Sequence, residues 1–468
     1  MPTRDDSTAV ITRRAFLGGA VASGALLTSA GIFGSTKVHA RDAGPITRYP
    51  LYVPPIVDIG SLPTAYLLTA KASTVDLGGG RLSKAWAFND FIPGPTLRAG
   101  RGDVARIYLR NQLSQPTITH WHGMVVDYLN DGHPAYAIQP GGQYAYSFPI
   151  NQRAALNWYH PHPDKLTGQQ VAMGLAGAFI VTDPEEGALG LPSGPYEVPL
   201  VIRDASINRQ GNLQYKPGGD GFFGKTPLVN GTQSPYLNVD TALYRFRVLA
   251  GTNARVFELA LDSGLPFTLI GNDGGLLAAS AQTATIDLSP GERVDLLVDF
   301  RALKVGDRVM LRDLSAGWDL LQFVVIRQVS DPTPIPTTLS TIVPLGTEVR
   351  TRDFSFDGMN KINGLAYDMS RIDFQVPFGD VERWRFTTGG NAPHPVHVHG
   401  ASFQVVSRTG GRGRLFPWEA GWKDTVLLQD RETVEILIRF TSYRGEYLLH
   451  CHKLEHEDNG MMSNFEVV

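Results

Sequence analysis

The chain has 468 residues, 43% hydrophobic and 19% charged, with a formal net charge of -3 at pH 7. That length exceeds what one hydrophobic core organises, and at about 150 residues per domain it predicts three domains. The near-neutral balance offers no basic footprint and disfavours nucleic acid as a partner.

Taken in chain order, the first element is an address. Thr12-Arg13-Arg14-Ala15-Phe16-Leu17 sets twin arginines ahead of a Gly/Ala-rich run from Gly18 to about Phe33, closed by Val38-His39-Ala40. This order resembles a twin-arginine export signal with a small-x-small cleavage site, leaving Arg41 as the first mature residue. Residues 1–40 are therefore expected to engage the export machinery, and the destination is expected to be periplasmic or extracellular. No other stretch reaches the roughly 18 uninterrupted apolar residues of a membrane span, so no stable anchor is expected after processing.

Beyond the signal, the runs at 104–110, 245–249, 293–299 and 433–439 alternate apolar and polar residues. A period of two belongs to strands, and 50 glycines with 31 prolines supply the turns between them. The reading is all-β, built of sandwiches or barrels with few, short helices. Pro/Gly/acidic clusters at 182–187 and 331–336 mark expected linkers, dividing the mature chain into 41–183, 184–335 and 336–468. The single cysteine, Cys451, rules out an intrachain disulfide.

Most of the 12 histidines fall in four clusters: His120/His122, His160/His162, His394/His397/His399 and His450/His452/His456, with only His39 and His133 outside. Along a strand, residues i and i+2 share a face, so each His-x-His aims two imidazoles at one point. In His450-Cys451-His452 the sulfur then faces away from both imidazoles and serves a different ion. His394 is similarly out of phase with His397 and His399. His394, Cys451 and His456 with a thioether make the His₂Cys-Met set of a blue copper site, with Met461 and Met462 both candidates for the axial position. Eight imidazoles remain (His120, His122, His160, His162, His397, His399, His450 and His452), which divide as two, three and three and suit three further coppers. Four copper ions can hold the four electrons that take dioxygen to water. Zinc fits less well, because a structural zinc site is a closed four-ligand tetrahedron, and eight histidines without further thiolate do not divide naturally into such sites.

The motifs HWHG at 120–123, YHPH at 159–162, HPVHVHG at 394–400 and HCHKLEHEDNGMM at 450–462 resemble the three-domain multicopper oxidases, of the bacterial laccase, periplasmic copper oxidase and spore-coat laccase type. GQQVAMGLAGAFIV, NKINGLAYDM and GWKDTV extend the likeness over roughly the whole mature chain. The resemblance implies three consecutive cupredoxin-like Greek-key β-sandwich domains, with a type 1 copper in the third and a three-copper cluster between the first and third. It selects Met461 as the axial ligand. It implies His120 and His397 for the type 2 copper, His122, His160 and His452 for one type 3 copper, and His162, His399 and His450 for the other. His456 becomes the electron-entry edge, Cys451 the conduit to the adjacent His450 and His452, and Asp131 and Glu457 the proton-relay acids, with Asp127 and Asp458 as neighbouring carboxylates.

The activity implied is laccase-type: one-electron oxidation of a small-molecule donor, such as a phenol or aromatic amine, coupled to reduction of O2. A cuprous oxidase is the alternative. Relatives of that kind carry a Met-rich segment, whereas this chain has eight Met in all. They also carry an acidic residue and a Met where this chain has Gly390 and Ala392. A non-catalytic cupredoxin-fold scaffold is the third reading, and a two-domain nitrite reductase would not need all four histidine clusters.

Overall fold

Val104–Gln112 shows how the sequence builds the fold. Ala105, Ile107 and Leu109 are fully buried, while Arg106 and Tyr108 face solvent on the other side of the pleat. The structure is a computed structural model that describes residues 46–390 and 392–468; from Thr47 to Val468 they form one compact unit. The export signal expected over residues 1–40 lies outside the described residues. No helix among them is long and apolar enough to cross a membrane.

Each sandwich buries its own core. In the first, a sheet ordered Ile56–Asp58, Gly94–Gly100, Gly177–Thr182, Ala155–Pro161, Thr119–His122 packs on one ordered Leu82–Phe88, Tyr66–Asp76, Val104–Gln112, Gln143–Pro149. Leu68, Ile107, Trp121, Phe148 and Phe179 fill the space between them. The third sandwich repeats the plan. Its inner sheet runs Phe374–Val376, Met462–Val467, Gly445–Cys451, His394–Val398, Thr425–Leu428, with Trp384, Phe386, Ile436 and Phe465 in its core. Between these two in sequence, strands from Glu197–Ile207 to Trp318–Arg327 build the second sandwich around Phe246, Leu269, Leu296 and Phe323. The α-helices among the described residues are short: Thr167–Ala172, Pro184–Gly187 and Leu454–Asp458.

Two expectations are refined. The cluster at 182–187 is not a slack linker but a one-turn helix, Pro184–Gly187, capped by Asp183, whose carboxylate accepts the Glu186 N–H at 2.8 Å. The alternation at 245–249 does not put its polar residues in water either. Arg245 and Arg247 are buried in an ion cluster with Glu186, Glu197 and Asp295, because this strand has another sandwich beyond its polar face. For the site, the decisive feature is register. Thr119–His122 pairs with Ala155–Pro161 so that His120 stands opposite His160, and His394–Val398 pairs with Gly445–Cys451 so that His397 stands opposite His450.

Candidate metal centres

Cross-strand partners in an antiparallel ladder project to the same face, so each pairing gathers the imidazoles of two clusters. The inner sheets of the first and third sandwiches then present these faces to one another. His120 stacks on His399 with ring centroids 3.8 Å apart, and His122 on His397 at 3.7 Å. The second pair of clusters meets in the same crossed order, His162 with His450 at 5.1 Å and His160 with His452 at 5.2 Å. All eight imidazoles are buried and form one continuous cluster.

In six of these imidazoles the outer ring nitrogen is held by the protein. His120 Nδ1–H donates to the Asp131 carbonyl at 2.6 Å, His397 Nδ1–H to the Asp424 carbonyl at 2.8 Å and His160 Nδ1–H to the Pro161 carbonyl at 2.9 Å. His399 Nδ1–H donates to Asp131 Oδ2 at 2.6 Å, and His450 Nδ1–H lies 3.2 Å from the Cys451 carbonyl and from Glu457 Oε2. His122 is turned round: Nε2–H faces Asp424 Oδ1 and Thr425 Oγ1, both at 3.0 Å, and Nδ1 points inward.

With protons fixed on the outer nitrogens, the inner ones offer only lone pairs. Yet His120 Nε2 lies 3.3 Å from His397 Nε2, and His399 Nε2 lies 3.0 Å from His450 Nε2. His122 Nδ1, His160 Nε2 and both nitrogens of His452 have no protein partner. Buried lone pairs facing one another are unfavourable unless a cation lies between them, so this cluster fits metal ions and little else. Burial lowers the pKa of His120, His122, His397, His399 and His452, and takes His160 to about 3 and His162 to about 4, which keeps these rings neutral and free to ligate.

Cys451 points the other way, as parity requires. Its Sγ lies 3.5 Å from His394 Nδ1 and 3.8 Å from His456 Nδ1, and the two nitrogens are 3.2 Å apart. Burial pushes the thiol up to about 12, so a bound cation must displace its proton. Register also separates the two methionines. Met462 stands opposite His450 and shares its face, whereas Met461, one residue earlier, takes the Cys451 face, with its main chain bonded to Cys451 N–H at 3.1 Å and to the His456 carbonyl at 2.9 Å.

Family models described as multicopper oxidase match residues 69–186 and 335–468, the two segments that carry the histidines. Bilirubin oxidase of Albifimbria verrucaria is 34% identical over 423 residues, covering 83% of this chain and 73% of that one. The crystal structure of a laccase from Pediococcus acidilactici superposes with a TM-score of 0.85 at 34% identity, over 91% of this chain and 94% of the other. The chain belongs to the multicopper oxidases. Cell division protein FtsP of Escherichia coli is also similar, 32% identical over 451 residues and 92% of each chain.

The two acids singled out in the sequence, Asp131 and Glu457, border the histidine cluster. Asp131 holds His120 and His399; its carboxyl is raised well above its ordinary value by burial, with Asp127 adding to the effect. Glu457 is buried too, but His162 and His450 outweigh that burial and draw it below its ordinary value. Asp458 is engaged elsewhere, accepting the N–H groups of Thr167 and Gly168 at 2.9 and 2.8 Å.

Three residues escaped the sequence reading. Asp424 and Thr425 lie within the GWKDTV segment but gave no sign of touching His122 and His397. Asp220 comes from the second sandwich: its Oδ1 lies 3.6 Å from His456 Nε2 and 2.9 Å from Lys453 Nζ, with the side chain 51% exposed. Nothing in the sequence pairs a Gly-Gly-Asp-Gly loop with a histidine more than two hundred positions away.

Proposed function

We propose that this multicopper oxidase is laccase-type, taking single electrons from small aromatic donors and using them to reduce O2 to water. The observation that carries the reading is the convergence of unpartnered imidazole lone pairs beside a buried His₂Cys set, the two joined through Cys451. In this reading four copper ions are held. His394, Cys451, His456 and Met461 would hold the type 1 ion, and His120 with His397 the type 2 ion. His122, His160 and His452, and His162, His399 and His450, hold the binuclear type 3 pair. Copper supplies reversible one-electron chemistry at each position, and four ions store what one O2 requires.

The chain's own residues then have defined tasks. Cys451 is the chain neighbour of both His450 and His452, which makes it the shortest covalent connection between the two centres. A phenol or anilinium loses a proton as well as an electron, and Asp220, half-exposed beside His456 Nε2, is placed to accept it; Phe223, 42% exposed, offers an aromatic face on the same loop. Asp131 and Glu457 are the carboxyl groups placed to relay protons at the oxygen side. Four donors give up four electrons and four protons, which balance the conversion of one O2 to two waters.

Cuprous oxidation is the second reading and has one observation in its favour. Met359 and Met369, soft donors for Cu(I), are 40% and 37% exposed on the segment whose Tyr367 N–H donates to the Gly460 carbonyl, next to Met461. A scaffold like FtsP would need the fold but not the donors, and here the full donor set is buried and convergent. The test is copper per chain after reconstitution, followed by oxygen uptake with a phenol and with Cu(I). Fewer than two coppers would refute the oxidase, and strong Cu(I) turnover with negligible phenol turnover would reverse the substrate ranking. The signal read over residues 1–40 assigns the enzyme to the periplasm or exterior, which N-terminal sequencing of exported protein would check.

A further inference from the structure

The second sandwich supplies none of the proposed ligands, yet one of its side chains reaches the oxygen-side cluster. Arg293, fully buried, opens the strand Arg293–Asp299. Its Nη1 and Nη2 donate to Asp424 Oδ1 and Oδ2 at 2.6 and 2.5 Å, a two-pronged grip on a residue of the third sandwich. Its Nε donates to the Leu156 carbonyl of the first sandwich at 2.9 Å. The remaining N–H groups go to the Gly291 and Asp273 carbonyls at 3.0 and 3.1 Å, so every donor of the guanidinium is used. Asp273 is itself fixed: one oxygen accepts the Arg293 N–H at 2.7 Å, and the other lies 2.8 Å from Nζ of Lys423, which also reaches Glu292 at 3.2 Å.

Asp424 passes this order on. Its Oδ1 accepts from His122 Nε2–H at 3.0 Å and from the Thr425 hydroxyl at 2.9 Å, and its carbonyl accepts from His397 Nδ1–H at 2.8 Å. Although Asp424, His122 and His397 are close enough to form a metal site of their own, both carboxylate oxygens are already engaged by Arg293. The group is thus an anchor for imidazoles and not an additional ligand. The backbone is shaped around the same contact. A Cβ on Gly123, at φ +89°, would come within 2.4 Å of Arg293 Nη2 and 2.9 Å of Asp424 Oδ2, which accounts for the glycine that closes HWHG.

We propose that Arg293 is a positioning residue for the oxygen-side metal: by clamping Asp424 it fixes the ring orientation of His122 and His397, and so makes metal retention there depend on the sandwich that holds no metal. Groups that orient a ligating histidine typically weaken metal affinity by about 10- to 100-fold when removed. The inference rests on the copper assignment made above.

The test compares wild type, Arg293→Lys, Arg293→Met and the double variant Arg293→Met/Asp424→Asn. Three readouts are taken: copper retained per chain against a graded chelator, the paramagnetic signal of the type 2 ion, and melting of the copper-free protein. In Arg293→Met, oxygen-side copper should be lost at about 10- to 100-fold lower chelator concentration, with the type 2 signal altered and the blue absorption per chain kept. Arg293→Lys, which keeps the charge without the fork, should fall between. The double variant leaves no orphaned buried carboxylate, so its copper-free form should melt near wild type while retention stays weak. If Arg293→Met does not fold, the double variant decides. Wild-type retention in the deciding variant, or retention that falls only in step with copper-free melting, overturns the proposal. A wild type that itself binds fewer than two coppers instead removes the oxidase reading on which it rests.

Discussion

Single atoms decide the chemistry of this protein. On the proposed assignment Cys451 is the only thiolate available, so Cys451→Ser should abolish the blue absorption and donor oxidation while the oxygen-side ions remain; absorption and copper counting check both. Asp131 touches the other centre, through the His120 and His399 ring N–H groups at 2.6 Å. Asp131→Asn keeps an acceptor for His399 but removes the acid, so colour should persist while oxygen reduction slows about 100-fold or more, measured by reoxidation of the reduced enzyme. Asp220 should matter only when the donor must shed a proton. Asp220→Asn is expected to slow reduction by phenols and to leave reduction by a proton-free one-electron donor unchanged; equal effects on both would sink that role.

Elements earn their place through register. A shift of one residue between His394–Val398 and Gly445–Cys451 would send Cys451 to the oxygen side and His450 to the other, because side chains alternate faces along a strand. The histidine clusters were legible in the sequence for this reason: their chemistry is written in the period of the strand itself. Polar residues of Leu243–Ala250 follow the same alternation but have a different fate, buried against Glu186 and Glu197. Glu186→Ala would leave Arg245 and Arg247 short of a carboxylate in a dry site, and about 3–5 kcal/mol of stability should be lost, read from chemical denaturation. Replacing the group with a hydrophobic set of equal volume should cost far less.

For the whole molecule, the three sandwiches meet at the histidine cluster, and again where Asn253 of the second donates to the Gly168 carbonyl of the first and to Glu455 of the third. The oxygen-side cluster is shared by the first and third, and Arg293 of the second bonds to both. On the proposed assignment, metal bound at the histidine cluster would act as a bolt across the junction. Removing copper should lower the melting temperature, because about 4 kcal/mol of stability per site is lost relative to free metal at a thousandfold the dissociation constant. Hydrogen exchange should rise first at 119–122, 394–399 and 450–457, and the core around Phe246 and Phe323 should stay protected. Uniform deprotection would mean that copper stabilises the chain without holding this junction in particular.

The sequence by itself determined the fold class, the division of donors between two centres and the family, because strand periodicity and ligand spacing are local properties that survive in one dimension. Tertiary structure alone decided which imidazoles stack, and that Asp220, Asp424 and Arg293 reach the histidines or their supports. These are contacts between segments one to three hundred residues apart. Their partners are set by how sheets pack and not by any pattern along the chain, and an isolated Asp or Arg carries no sign of the face it will meet.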